Sequence, residues 1–466
     1  MTTRRSSATA AVWIAAVAVI TLALILHVLV GPQLADDPRV GAGRLDSRAV
    51  ADRPAPVLPT LVAPTTPLDT AALVARLEAV PRDGAGGIVA LVVDASTGAE
   101  VYRSGAGVRT PASSLKVLTG LVALDVLGPS HRFATRTVWD GGTLTLVGGG
   151  DPLLATDASD QAPGRATLHD LARVTASALA THGIDKVALR YDASLFGGPA
   201  WNPAWPDIFA TSVAPITALT VDHARPRLAE GSFVRDPDPA RFAAGRFAEQ
   251  LTDAGIAVTR IEEGAAPALG SPDAERGEEA VPGAIEVGRV ESLPVSGIVE
   301  RTLADSDNDA AETLAWQVAL ARGVAATPTG AARVLQEELI RLGLWGDGMA
   351  VADGNGIATA NQVTADALVG AVRRSLDEPA LRAVALGLPV AGVTGTLHDR
   401  FEAPEAASGR GIVRAKTGTI RGVNTLAGYA VTDDGHPLAF ALMTSGGGQA
   451  AARAWLDGAS AALVGG

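Results

Sequence analysis

The 466-residue sequence predicts an α/β (α+β) fold with an antiparallel sheet and a helical subdomain. Three patterns carry this expectation. Strand-like runs near residues 87–103 return at residues 412–444, so the two extremities of the folded part meet in one sheet. Between residues 295 and 385, apolar positions recur mainly at helical spacing. The stretch at residues 133–283 has strands and helices of its own, and no repeat at solenoid or propeller spacing is present.

The elements follow in order. Residues 70–80 place Ala, Leu and Val at helical spacing behind Asp69, a capping residue. Residues 87–94 form an apolar strand, Ser96-Thr97-Gly98 turns the chain, and Val101-Tyr102-Arg103 is the returning strand. Pro111 then precedes an apolar helix that starts about Ser113 and runs through residues 117–127. Strand-like alternation occupies residues 133–147. A helix at 167–180, a strand at 186–191 and a helix at 239–254 follow, and the Gly/Pro/Glu/Ala-rich residues 264–283 read as a surface connector. Helices are expected at 295–303, 310–321, 331–342 and 364–375. Strands at 412–415, 425–431 and 438–444, with Asp434-Gly435 as a hairpin turn, precede a last helix at 450–463.

Composition narrows the function. A net charge of −12 and a pI near 5.1, with only 4% aromatic residues, argue against a nucleic-acid partner. The absence of cysteine excludes disulfides, thiol catalysis and thiolate metal sites. Arg4 and Arg5 precede a 21-residue apolar run at residues 10–30, long enough to cross a bilayer core of about 30 Å. Basic residues on its N-terminal flank keep that end inside the cytoplasm, which places the rest of the chain outside. Residues 1–30 are therefore a transmembrane anchor or a cleaved signal segment; the lack of a clean small-x-small site after Val30 favours the anchor. Residues 31–67 read as a Pro/Ala-rich linker.

Only three residues are lysine, among 38 Lys and Arg in all, and two of the three fall in short motifs. Lys116 closes Ser113-Ser114-Leu115-Lys116 and Lys416 opens Lys416-Thr417-Gly418-Thr419; Lys186 reads as a solvated surface charge. An ammonium can lose its proton when buried, whereas a guanidinium effectively cannot, so lysine kept amid arginine points to proton chemistry. Ser113 and Lys116, at i and i+3, share one helix face. A partly desolvated lysine beside a second cation can exist as a free amine, so Lys116 can take the Ser113 proton with Lys416 as that second cation. Between them in sequence, Ser306-Asp307-Asn308 offers a hydroxyl that relays protons and an amide that reaches both a lysine and a substrate carbonyl. The same residues also suit the N-cap of the following helix. Gly418 permits close approach of a substrate backbone, and the Thr417 and Thr419 hydroxyls can bind a carboxylate. Lesser features read as structure: the Gly148-Gly149-Gly150-Asp151 run lacks the Gly-Lys-Ser/Thr of a phosphate loop, and Asp353-Gly354-Asn355-Gly356 is a tight turn. The seven histidines show no metal-ligand spacing, His398 is taken as structural, and Trp201 and Trp205 as core anchors.

The ordered trio Ser-x-x-Lys, Ser-Asp-Asn and Lys-Thr-Gly is a signature of penicillin-binding proteins and class A β-lactamases. With Leu146-Val147-Gly148-Gly149-Gly150-Asp151-Pro152, Leu388-Pro389-Val390-Ala391-Gly392, Gly395-Thr396-Leu397 and Ala427-Gly428-Tyr429, the chain resembles the DacB-type low-molecular-mass class C penicillin-binding proteins. These are D-alanyl-D-alanine carboxypeptidases and endopeptidases of the serine β-lactamase-like superfamily. The resemblance implies a penicillin-binding domain in two parts, residues 68–132 and 284–466, around an inserted domain at 133–283. It implies Ser113 as the acylated nucleophile, Lys116 as its base, Ser306 and Asn308 in the proton network, and Lys416, Thr417 and Thr419 on the terminal carboxylate. Backbone N–H groups of Ser113 and Thr419 would form the oxyanion hole. The implied partners are peptidoglycan stem peptides ending in D-Ala-D-Ala and β-lactam antibiotics, with no metal or organic cofactor. The insert is shorter than usual for the family, and the family's Asp-Gly-Ser-Gly-Leu-Ser turn here reads Asp353-Gly354-Asn355-Gly356-Ile357-Ala358, without its hydroxyls.

Two rival functions share these residues. A β-lactamase would need a deacylating base that the sequence does not assign. A sensor acylated without turnover would have no need to keep Ser113, Lys116, Ser306 and Lys416 together.

Overall fold

Apolar alternation builds the central sheet. In β1 (Gly86–Asp94), Val89, Leu91 and Val93 face one core while Ala90 and Val92 face another. The computed structural model describes Pro64 and residues 66–159, 163–226, 234–269 and 283–465. The apolar run at 10–30, nearly all of the 31–67 linker and most of the 264–283 connector lie outside these residues. Among the described residues no helix is long and apolar enough to cross a membrane.

The first sheet is antiparallel throughout. Its order is β2 (Glu100–Ser104), β1, β10 (Pro437–Gly446), β9 (Val423–Val431) and β8 (Arg414–Ile420). Both chain extremities thus contribute, as the sequence implied. Asp94 caps the β1–β2 turn by accepting from the backbone N–H groups of Ser96 and Thr97, and Gly98 takes the positive φ that the turn requires. β8 extends beyond the expected 412–415, so Lys416-Thr417-Gly418-Thr419 lies within an edge strand and not after its end.

Helices cover both faces of this sheet. On one side α1 (Thr70–Ala79) and α10 (Gln449–Ala461) pack Leu73, Leu77, Trp455 and Leu456 onto Phe440 and Leu442. On the other lies α2 (Leu115–Leu127), buried on nearly every side, as its almost uniformly apolar sequence demands. Around α2 stand α5 (Val295–Ala304), α6 (Asn308–Ala321), α7 (Pro328–Arg341), α8 (Ala365–Asp377) and the short α9 (Ala383–Gly387). Gly120 of α2 lets α5 approach, since a Cβ there would stand 3.0 Å from Val299 Cγ1.

A second, mixed sheet occupies the region between the first two motifs. Its order is β6 (Ala257–Glu263), β5 (Lys186–Asp192), β4 (Thr143–Val147), β3 (Ala134–Trp139) and β7 (Ile285–Glu291). The β4–β5 and β5–β6 pairs are parallel, and the other two are antiparallel. α3 (Leu168–Thr181) and α4 (Pro239–Asp253) supply its core through Leu171, Leu179 and Phe247. Strands β6 and β7 were not foreseen: β6 is exposed along most of its length and carries charge, so it lacks an apolar period. β7 also extends this sheet past residue 283.

The Gly148-Gly149-Gly150 run is a docking point. Gln317 of α6 donates to the carbonyls of Gly149 (2.8 Å) and Gly150 (3.2 Å), and any side chain at Gly150 would strike it. Gly428 on β9 plays a comparable part beside the Lys-Thr-Gly strand, because a Cβ there would collide with the Arg414 carbonyl and stand 2.6 Å from Ala415 Cα. Gly428→Ala is expected to push β8 off β9 and cost about 1–3 kcal/mol, seen as a lower Tm; an unchanged Tm would contradict this packing.

Candidate active site

The serine-bearing turn is held in an unfavourable shape by its neighbours. Residues Ala112–Ser114 form a 3₁₀ turn, and α2 proper starts only at Leu115, slightly later than the sequence suggested. Ala112 enters this turn with φ 47°, a conformation that costs a non-glycine residue about 1–3 kcal/mol. Offsetting contacts surround it. Thr425 donates to the Pro111 carbonyl at 2.8 Å and meets the Ser114 hydroxyl at 2.7 Å. Gly418 packs on the same turn: a Cβ there would stand 2.5 Å from Pro111 O and 3.1 Å from Ser114 N. Gly418 is buried, so the missing side chain serves the approach of the serine turn, not of a substrate backbone.

Ser113 is half-buried, while Lys116 has no exposed surface. The Lys116 Nζ lies 3.0 Å from Ser113 Oγ, 2.7 Å from Asn308 Oδ1 and 2.6 Å from the Asn355 carbonyl oxygen. The i, i+3 spacing therefore does put serine and amine in contact. Asn308 is steered by its other end, where Nδ2 donates to the Ser212 carbonyl at 3.0 Å. Asp307 caps α6 by accepting from Ala310 N at 3.0 Å, so the Ser-Asp-Asn segment is both a helix cap and part of this cluster. Ser306 stands at φ 57° between α5 and α6.

Lys416, also without exposed surface, donates from Nζ to Ser306 Oγ and to the Thr417 carbonyl, both at 2.9 Å. Ser306 is thereby tied to Lys416 and not directly to Lys116. Desolvation lowers the Lys116 pKa to about 8, although Asp353, Asp307, Glu312 and Asp309 all favour its charge. Lys416 is depressed well below the usual lysine value by burial and by the charge of Lys116. No carboxylate among the described residues offsets that loss.

Behind Lys116 lies an acid network that the sequence did not reveal. Asp353 accepts from Gly356 N (2.8 Å), Ala358 N (2.6 Å), Asn361 Nδ2 (2.7 Å) and Trp205 Nε1 (2.9 Å). Glu312 accepts from Trp316 Nε1 at 3.1 Å and Gly354 N at 2.7 Å. Burial and the Asp353 charge push Glu312 up to about 8. Burial raises the Asp353 pKa as well, against the four hydrogen bonds that favour its charged form. The turn at residues 353–356 was legible in Asp353-Gly354-Asn355-Gly356; that its Asn355 carbonyl faces a lysine was not.

The inserted region reaches this network directly. Trp205 is buried and meets Trp201 edge-on at 5.2 Å, Asn202 donates to the Ala352 carbonyl at 3.0 Å, and Ala214 N donates to Asp309 at 2.8 Å. Three-dimensional proximity also gathers His223, Asp307 and Asp309, with one ligand atom from each within 4.8 Å of the others. Arg235 already supplies a positive charge there, 3.1 Å from Asp309. His398 is exposed and pairs with the adjacent Asp399 at 2.5 Å.

An open cleft of about 390 Å³ exposes the chemistry. It is lined by Ser113, Ser306, Thr417 and Thr419 together with Gly395, Thr396, Asp399, Arg400 and Arg453. The Thr417 and Thr396 hydroxyls lie 2.7 Å apart. A half-buried serine, contacting a fully buried lysine and opening into a cleft, is an arrangement for attack on an acyl group.

The description "D-Ala-D-Ala carboxypeptidase 3 (S13) family" matches residues 72–230 and 224–463. The chain belongs to that family. A carboxypeptidase of Mycobacterium tuberculosis is 32% identical over 88% of this chain and 88% of its own length. Carboxypeptidase DacB of Mycolicibacterium smegmatis is 30% identical over 93% of each chain. The D-alanyl-D-alanine carboxypeptidase of an Actinomadura species is 29% identical over 88% of this chain and 89% of its own. The fold matches penicillin binding protein 4 (dacB) of Haemophilus influenzae with a TM-score of 0.64 at 18% identity, over 84% of this chain and 98% of that one. The family member described here is accordingly a serine-type carboxypeptidase of the DacB type.

Proposed function

We propose that Ser113 is the acylated nucleophile in hydrolysis of peptidoglycan stem peptides ending in D-Ala-D-Ala. The observation that carries this is the set of neighbours around the Lys116 Nζ. Two of the three, Asn308 Oδ1 and Asn355 O, can only accept hydrogen bonds. A neutral amine donates to both, and its lone pair is left facing the third neighbour, the Ser113 hydroxyl. Lys116 then takes the hydroxyl proton as Ser113 Oγ attacks the carbonyl carbon of the penultimate residue. Backbone N–H groups of Ser113 and Thr419 receive the oxyanion. Collapse breaks the C–N bond, and the proton passes from Lys116 to the departing D-alanine amine. Water cleaves the resulting ester and restores Ser113.

Lys416 and Ser306 form the second half of this network. A substrate carboxylate settling near Thr417 and Thr419 favours the charged form of Lys416, and a charged Lys416 in turn favours the neutral form of Lys116. Arrival of the right substrate thus readies the base. A β-lactam, whose strained amide and carboxylate imitate the peptide terminus, would acylate the same hydroxyl. The same site would serve as an endopeptidase where the leaving amine belongs to a cross-link.

The anchor reading completes the proposal: Arg4, Arg5 and the apolar run at 10–30 hold the chain in the cell membrane with its catalytic part outside the cytoplasm. The full chain should stay with membranes through alkaline carbonate washing. Release as a soluble form lacking residues 1–30 would show a cleaved signal segment instead.

Intact-mass analysis with benzylpenicillin and assay of D-alanine release from a pentapeptide test the site. Ser113→Ala is expected to lose both the adduct and D-alanine release, and retention of either would remove Ser113 from the role. In the native enzyme the acylation rate should rise with pH and level off above about 8, where Lys116 has lost its proton. A rate that falls as pH rises from 6 to 8 would contradict a neutral-amine base.

A further inference from the structure

The reading of Ser113 as nucleophile leaves open what supplies the charge that recognises the terminal carboxylate, and the following rests on that reading. Lys416 is poorly placed for it. Its amine has no exposed surface, is bound to Ser306 Oγ and Thr417 O, and does not line the cleft. Thr417 and Thr419 do line it, but hydroxyls bring dipoles without net charge, and Thr417 is already paired with Thr396.

Two guanidinium groups line the same cleft. Arg400 is committed to Asp457, with Nε 2.9 Å from Oδ2 and Nη2 2.5 Å from Oδ1, so its charge is matched. Arg453, in the second turn of α10, is exposed and has no hydrogen bond or ion pair among the described residues. The one carboxylate lining the cleft, Asp399, is paired with His398. Arg453 is thus the unpaired cation of the cleft, and a guanidinium keeps its charge at any working pH, which a buried amine does not.

We propose that Arg453 is the specificity-determining residue for a free terminal carboxylate, meeting it in the cleft while the Thr417 and Thr419 hydroxyls orient it. A planar fork of N–H donors suits a carboxylate. Because the side chain is exposed, the contact is open to screening by salt.

The test compares two peptides that differ only at the end, one D-Ala-D-Ala with a free carboxylate and one with a carboxamide. The readout is the ratio of their kcat/KM values, which is internal to each preparation and independent of the fraction folded. The native enzyme should favour the free acid, less so as NaCl is raised. In Arg453→Ala the ratio should fall by about tenfold or more, as loss of one charge-assisted contact implies. Arg453→Lys should fall between the two. A ratio unchanged in Arg453→Ala, with the native enzyme hydrolysing the free acid, would overturn this role alone. Hydrolysis of neither peptide by the native enzyme, with no benzylpenicillin adduct, would overturn the Ser113 reading and this one with it.

Discussion

The contact between a fully buried lysine amine and a half-buried serine hydroxyl, 3.0 Å apart, is the interaction the rest of the molecule is arranged around. Removing an ammonium from water is costly, and the protein does not offset that cost with a salt bridge. It surrounds Lys116 with neutral acceptors, the Asn308 amide oxygen and the Asn355 carbonyl, while its carboxylates stand further back. The amine is thereby held near the boundary between its two protonation states. A direct carboxylate partner would fix it as a cation and end its use as a base.

Each wall of this arrangement comes from a different part of the fold. The antiparallel sheet supplies Lys416, Gly418 and Thr425, which hold the serine turn against strand β8. The helical layer supplies Ser306 and Asn308 at the entry to α6. The inserted region, far away in sequence, braces the back of the site through Trp205 on Asp353 and the Ser212 carbonyl on Asn308. That region is therefore more than an appendage beside the catalytic part: it contributes hydrogen bonds to residues that stand around the Lys116 amine.

Much of this was legible in the sequence, for identifiable reasons. Helices with polar caps and apolar stripes, such as α1 behind Asp69 and α4 behind Asp238 and Pro239, came out within a residue or two of their ends. Ser113, Lys116, Ser306, Asn308 and Lys416 were visible because their spacing and the scarcity of lysine set them apart. Strands β6 and β7 were hidden because neither alternates cleanly between apolar and polar residues. The acid network was hidden for another reason. Glu312, Asp353 and Asp309 look like ordinary charged residues, and only folding buries them around one amine. That the carboxylates gather around Lys116 and leave Lys416 without one is also invisible in local sequence. Gly418 was likewise misread, since the atoms that crowd it come from Pro111, Ser114 and Thr425.

With three lysines in the chain, the two that matter can be titrated directly. Replacing the exposed Lys186 by arginine and labelling lysine side chains with carbon-13 at Cε leaves two resonances to follow by NMR against pH. Both are expected to titrate below the ordinary lysine value of about 10.4, Lys116 near 8 and Lys416 also well below that ordinary value. Two amines that both titrate in the ordinary range would contradict the account, because neither would then be available to take a proton from Ser113 at neutral pH.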